Sequence, residues 1–312
     1  MATINAKDVA ALRAKTGIGM MECKKALVEA EGDMEKAMKV LRERGLAVAA
    51  KKEGRIAAEG VVDILKDGNV SAMIEVNAET DFVAKNDTFK EFVKGLLRTI
   101  IAIKPENADA LINANFDGSD ITVDAKLKEM IFTIGEKITI RRFVIREGIT
   151  STYIHGAGVA GVIVRFTTDE AVANNNEFAA VAKNIALQIA AGSPPTYVCR
   201  EEVPASVIEE EKNIQVAALK NDPKNANKPD AILEKIVIGK MGKFYENVCL
   251  LDQSFFKEDD MSVGKYLETE GKRLGGEIKV VDFVLYEKGE GLEKREDNYH
   301  SRKEESGILH RR

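Results

Sequence analysis

Thr80-Asp81-Phe82-Val83 sets a carboxylate beside a bare aromatic ring, after the strand-like run Val70–Asn77 and before a helical run that begins near Thr88. Rigid elements at both ends of a short loop are a common way to display functional side chains. An Asp-Phe pair is poorly equipped for bond-breaking chemistry. It is well equipped as a wedge, with one ring to fill a pocket and one charge to disturb a phosphate or metal site beside it. Each residue also has a plainer reading. Asp81 suits a turn or a helix cap, and Phe82 suits the first apolar position of a core.

Other residues with chemical potential are sparse. His155 is the only histidine before the C-terminal segment, and a metal site normally needs three or four converging ligands. A Cys-His nucleophile would need His155 beside one of the cysteines, and the spacing of Cys23, Cys199 and Cys249 does not support that. Neither a Gly-x-x-x-x-Gly-Lys-Ser/Thr phosphate loop nor a Gly-x-Ser-x-Gly elbow occurs. These features predict a protein that is not an enzyme and has no cofactor or metal of its own. Met20-Met21 reads either as core of a small helical bundle or as an adaptable contact surface, since thioethers serve both.

Stepping outward, residues 1–45 predict three short helices. Asn5 caps the first and Gly17 stops it; the second runs from about Met21 to Glu31; Asp33 caps the third, which reaches Gly45. Leu46–Arg55 reads as a helical or flexible linker, which gives a module over 1–55. A second unit, 56–147, opens with Gly60–Leu65 and Val70–Asn77 around the hairpin signal Lys66-Asp67-Gly68-Asn69. Phe89, Phe92, Val93, Leu96, Leu97, Ile100 and Ile101 then recur at helical spacing up to Pro105. A helix over Asp124–Ile134 and a strand over Ile138–Glu147 complete the unit.

The same order returns over 148–196 and 247–290. A hairpin forms around Gly156-Ala157-Gly158, a helix carries Phe178, Val181, Ile185 and Ile189, and a late strand spans Ile278–Glu287. Between these parts, 197–246 reads as two amphipathic helices joined by a polar turn, a helical hairpin with a narrow apolar stripe. The fold class is therefore α+β, with two related core subdomains built on antiparallel sheets, a small N-terminal helical module and an inserted hairpin. Residues 291–312 are charged and lack apolar periodicity, which predicts a frayed tail.

The chain of 312 residues is 45% hydrophobic and 31% charged, the composition of a soluble globular protein. Its 46 basic and 51 acidic residues give a net charge of −5. That balance argues against a large nucleic-acid footprint. Scattered, unpaired cysteines predict reduced thiols in a cytosolic protein. No signal peptide or membrane-spanning run is expected.

Two segments carry a resemblance. Lys15-Thr16-Gly17-Ile18-Gly19-Met20-Met21-Glu22-Cys23-Lys24-Lys25-Ala26-Leu27 resembles the N-terminal signature of bacterial elongation factor Ts, and Glu75–Lys85 resembles its second signature. Tyr153-Ile154-His155-Gly156 is similar to a further motif, and the layout resembles the family over about 1–295. The N-terminal module also resembles ubiquitin-associated bundles. The resemblance implies guanine-nucleotide exchange on elongation factor Tu in the cytoplasm. The loop at Thr80, Asp81, Phe82 and Val83 would push against the partner beside its Mg²⁺, and Met20, Met21, Lys24, His155, Gly156 and Met241 would make further partner contacts. It also implies self-association through the hairpin in some members, with no direct nucleic-acid or membrane contact. The competing reading is a passive binding or scaffolding protein of the translation apparatus. The end of the chain, Tyr299–Arg312, departs from the family's usual Ala- and acid-rich terminus.

Overall fold

Asn5 and Asp33 each accept hydrogen bonds from the first turn of the helix that follows, and so fix the starts of the first and third helices of a three-helix bundle. The computed structural model describes residues 4–222 and 228–293. The bundle consists of α1 (Ala6–Thr16), α2 (Met20–Glu29) and α3 (Met34–Lys52). Its core gathers Leu12, Ile18, Cys23, Leu27 and Leu41. The third helix does not stop at Gly45, as the sequence suggests. A glycine ends a helix by turning left-handed, whereas Gly45 stays helical and buried within α3.

The chain forms two compact units. Among the described residues, one holds 4–63, 74–143 and 287–293, and the other holds 64–73, 144–222 and 228–286. After the bundle come β1 (Glu59–Asp67) and β2 (Val70–Ala78), joined by the predicted tight turn. Every residue of β2 is buried. Next are α4 (Asp81–Lys85), α5 (Asp87–Ile103), α6 (Ala108–Asn113), α7 (Val123–Ile134) and β3 (Ile138–Glu147). The sheet order is β1-β2-β3. α5 buries Phe89, Phe92, Val93, Leu96, Leu97 and Ile100, as its periodicity predicts, while Ile101 of the same predicted set is only half-buried. Within the same unit α7 packs on α3, where Phe132 meets Gly45.

A second three-stranded sheet has the order β4-β5-β8, from β4 (Ile149–His155), β5 (Ala160–Thr168) and β8 (Ile278–Glu287). β4 and β5 pair antiparallel, with Ile149 opposite Phe166 and His155 opposite Ala160. After α8 (Glu170–Ala173), α9 (Phe178–Ala191) packs across β4 and β5. The helices α10 (Ala205–Asn221) and α11 (Asp230–Val248) form the predicted hairpin around Leu219, Leu233, Val237 and Met241. Ile214, Ile232 and Ile238 remain exposed on it. A short antiparallel pair, β6 (Ser254–Phe255) and β7 (Glu258–Ser262), precedes α12 (Val263–Leu274). The fold is mixed α+β, as expected. Most of the predicted tail lies outside the described residues.

Candidate functional site

The residues before the Asp-Phe pair are fixed by a buried polar cluster. Glu75 is fully buried on β2. It accepts from Arg141 at 2.9 Å, from Arg142 at 2.6 Å, from Asn77 Nδ2 at 3.0 Å and from the backbone N–H of Gly289 at 2.8 Å. Burial pushes the Glu75 carboxyl upward, but these donors outweigh it and hold the group below the ordinary carboxylate value. Two residues beyond Asn77, Glu79 accepts the backbone N–H of Lys137 at 2.7 Å and pairs with Arg55 at 3.2 Å. Burial raises its carboxyl less than Lys137 and Arg55 lower it.

Thr80 is the N-cap of α4, in extended conformation, yet its side chain makes no bond to that helix. Instead its hydroxyl donates to one oxygen of Glu136 at 2.6 Å, and its backbone N–H donates to the other at 2.9 Å. The next two residues project from the fold. Asp81 pairs with Lys85 one turn on at 3.1 Å, and the Lys85 ammonium lies 5.8 Å from the Phe82 ring centroid. Phe82 is 76% exposed, while Val83 turns inward and is buried. Val83, not Phe82, is therefore the first core residue here, and Asp81 lies in the first turn of α4. The predicted loop is a five-residue helix. Asn86 closes it through its N–H to Val83, and the Asn86 side chain opens α5 by accepting from Phe89 N–H at 3.2 Å.

Met20 and Met21 stand exposed on α2, Met21 at 65%, while Cys23, Ala26 and Leu27 of that helix form the bundle core. The contact-surface reading therefore fits these two positions. Met21, Lys24 and Val28 line an open groove along the same face. Lys24 makes no ion pair among the described residues. Neighbouring Glu22 and Glu29 are both engaged by Arg44, at 3.1 and 2.6 Å.

His155 is exposed at the end of β4, with its Nδ1 3.3 Å from the Tyr153 hydroxyl. Gly156, Ala157 and Gly158 all adopt left-handed conformations, which the turn to β5 requires and which glycine tolerates best. Met241 sits elsewhere, buried in the hairpin's own core. Thr80 through Val83 and Met20, Met21 and Lys24 thus belong to one unit, and His155, Gly156 and Met241 to the other.

Burial raises the Cys199 thiol and pushes the Cys249 thiol up to about 11, the reverse of an activated nucleophile. Among the described residues no group of three or more His, Cys, Asp or Glu is arranged to hold a metal ion, and no helix is long and apolar enough to cross a membrane. Glu136 was not legible in the sequence. It lies 56 residues from its Thr80 partner and follows a glycine helix stop, so no spacing rule marks it.

The Elongation factor TS family profile matches residues 79–290, from the base of the Asp-Phe turn to the end of the second sheet. Elongation factor Ts of Syntrophotalea carbinolica is 44% identical over 299 residues, covering 95% of this chain and 96% of the relative. The Clostridium botulinum Eklund 17B protein of the same name is 44% identical over 302 residues, with the same coverage. That of Trichlorobacter lovleyi is 43% identical over 303. Similarity of this extent includes the bundle that precedes the family profile, and the chain belongs to the elongation factor Ts family.

Proposed function

We propose that the Asp81-Phe82 turn is the part of this chain that enters elongation factor Tu and dislodges the Mg²⁺ beside its bound GDP. Elongation factor Ts is the nucleotide exchange factor for elongation factor Tu in translation elongation, a cytoplasmic process, and the chain has that role without making or breaking covalent bonds. The observation that carries the site assignment is the exposed Phe82 ring on a short helix whose flanks are anchored.

The energetics suit displacement. Nanomolar nucleotide binding corresponds to about −12 kcal/mol. Much of it depends on a Mg²⁺ ion that demands near-ideal octahedral geometry. A ring driven into a neighbouring pocket gains roughly 1.5–3 kcal/mol, and Asp81 brings a negative charge toward the phosphates. Coupling is reciprocal: a factor that weakens GDP binding is itself bound more weakly when GDP is present, which keeps the ternary state transient. Met20, Met21 and Lys24 on α2, and His155 and Gly156 at the β4–β5 turn, provide further contacts with the same partner on this reading.

We also infer self-association through the hairpin, because Ile214, Ile232 and Ile238 stay exposed on it, Ile238 at 66%. We assign the working divisions as 1–55, 56–147, 148–196 with 247–290, 197–246 and 291–312. Stopped-flow release of a fluorescent GDP from elongation factor Tu tests the exchange mechanism. Wild-type chain accelerates release strongly at millimolar Mg²⁺, and the advantage of wild type over Asp81→Ala shrinks when Mg²⁺ is chelated. An advantage that is the same with and without Mg²⁺ would overturn the magnesium step.

A further inference from the structure

We propose that Glu136 is a positioning residue for exchange: it holds the Asp81-Phe82 turn in its working orientation before the partner arrives. The inference rests on the assignment of that turn as the exchange element. Glu136 spends both carboxylate oxygens on Thr80, one on the backbone N–H and one on the hydroxyl. Thr80 directly precedes the two exposed residues. The contact is reciprocated one residue away, where Glu79 accepts the N–H of Lys137. Residues 79–80 and 136–137 therefore form a clasp of charge-assisted hydrogen bonds across the base of the turn.

The clasp is itself anchored. Lys137 Nζ donates to the carbonyls of Glu53 at 2.5 Å and Arg55 at 2.9 Å, and Lys52 Nζ donates to the carbonyl of Gly135. The 135–137 segment thus ties the end of α3 and the start of α4 to one fixed point within the same unit. The N-cap position of α4 needs no such device for helix formation, since a cap ordinarily bonds to its own helix. Thr80 forgoes that bond in favour of Glu136. A ring that must enter a pocket loses rate for every orientation it samples outside the productive one, so a preorganised turn acts faster than a loose one.

The test is single-turnover release of fluorescent GDP from elongation factor Tu, titrated with Glu136→Ala, Glu136→Gln, Thr80→Val and the double variant Thr80→Val/Glu136→Ala. Hydrogen bonds to a charged group are worth enough that Glu136→Ala lowers the saturating release rate about tenfold. The concentration at half-saturation shifts little, because the encounter uses other contacts. Glu136→Gln, which keeps one acceptor oxygen, falls between the two. In the double variant, the Thr80 change adds less than it does alone. A saturating rate for Glu136→Ala equal to wild type, or losses that multiply fully in the double variant, would overturn the inference. Should Glu136→Ala fail to fold, Glu136→Gln and Thr80→Val decide in the same way: both lower the saturating rate, or the clasp has no part in exchange. If wild type itself does not accelerate release, the exchange reading fails instead, and the two failures are distinct.

Discussion

Phe82→Ala separates a ring that works on a partner from a ring that supports its own fold. In the free chain Phe82 is 76% exposed, with the Lys85 ammonium 5.8 Å from its ring centroid. Its loss should change folding stability by less than about 1 kcal/mol. Full burial of a Phe side chain is worth about 1.5–3 kcal/mol. About three quarters of the ring is available for burial, so entry into a pocket contributes about 1.1–2.3 kcal/mol, or about 6- to 45-fold in rate or affinity. The assay is displacement of fluorescent GDP from elongation factor Tu by excess unlabelled nucleotide, with factor concentration varied to saturation and thermal midpoint measured in parallel. If the ring stays buried in the complex with the nucleotide-free GTPase, affinity for that state should fall by a similar factor. Phe82→Leu, which keeps most of the apolar volume, should retain more activity than Phe82→Ala. An alanine variant with an unchanged midpoint and an unchanged saturating rate refutes the wedge. A variant that loses activity only because its midpoint collapses refutes the claim that the ring is free of the core.

Three further outcomes test the surrounding fold. The Glu75 carboxyl is held below its ordinary value of 4.5, so its contribution to stability is complete above that pH and is lost as pH falls through the lower folded value; urea midpoints from pH 7 to pH 3 should drop below about 4.5, and that part of the drop should be absent in Glu75→Gln. Gly45→Ala should stabilise the bundle by roughly 0.5–1 kcal/mol, because a methyl there would meet Phe132 at 3.5 Å, an ordinary contact, whereas Gly45→Leu should lower the thermal midpoint. In the native protein at pH 8, iodoacetamide should label Cys199 well before Cys23 or Cys249, which are buried; mass spectrometry of the labelled peptides reads the order.

Much of the architecture was legible because its elements carry strong local signals. The strands Ile138–Glu147 and Ile278–Glu287 and the long helix α5 appear where β-rich runs and helical periodicity place them. Readings failed where the signal was short or conflicted. α4 looked like a loop because five residues show no period and Asp81 is a turn former. α3 passed its glycine because a stop depends on backbone handedness, which composition does not reveal. β7 was missed because Glu258-Asp259-Asp260 is a poor strand sequence. At the site, a core position for Phe82 was one of two readings of the sequence, and its exposure removes that one. The Glu136 clasp was invisible, since pairing across 56 residues is a product of the fold.

Asn86 ends one helix and begins the next, so no slack segment separates the protruding ring from α5 and its row of core side chains. A load on the ring passes straight into that packed helix. With recoil on this side prevented, the softer body in any collision is the one that must deform.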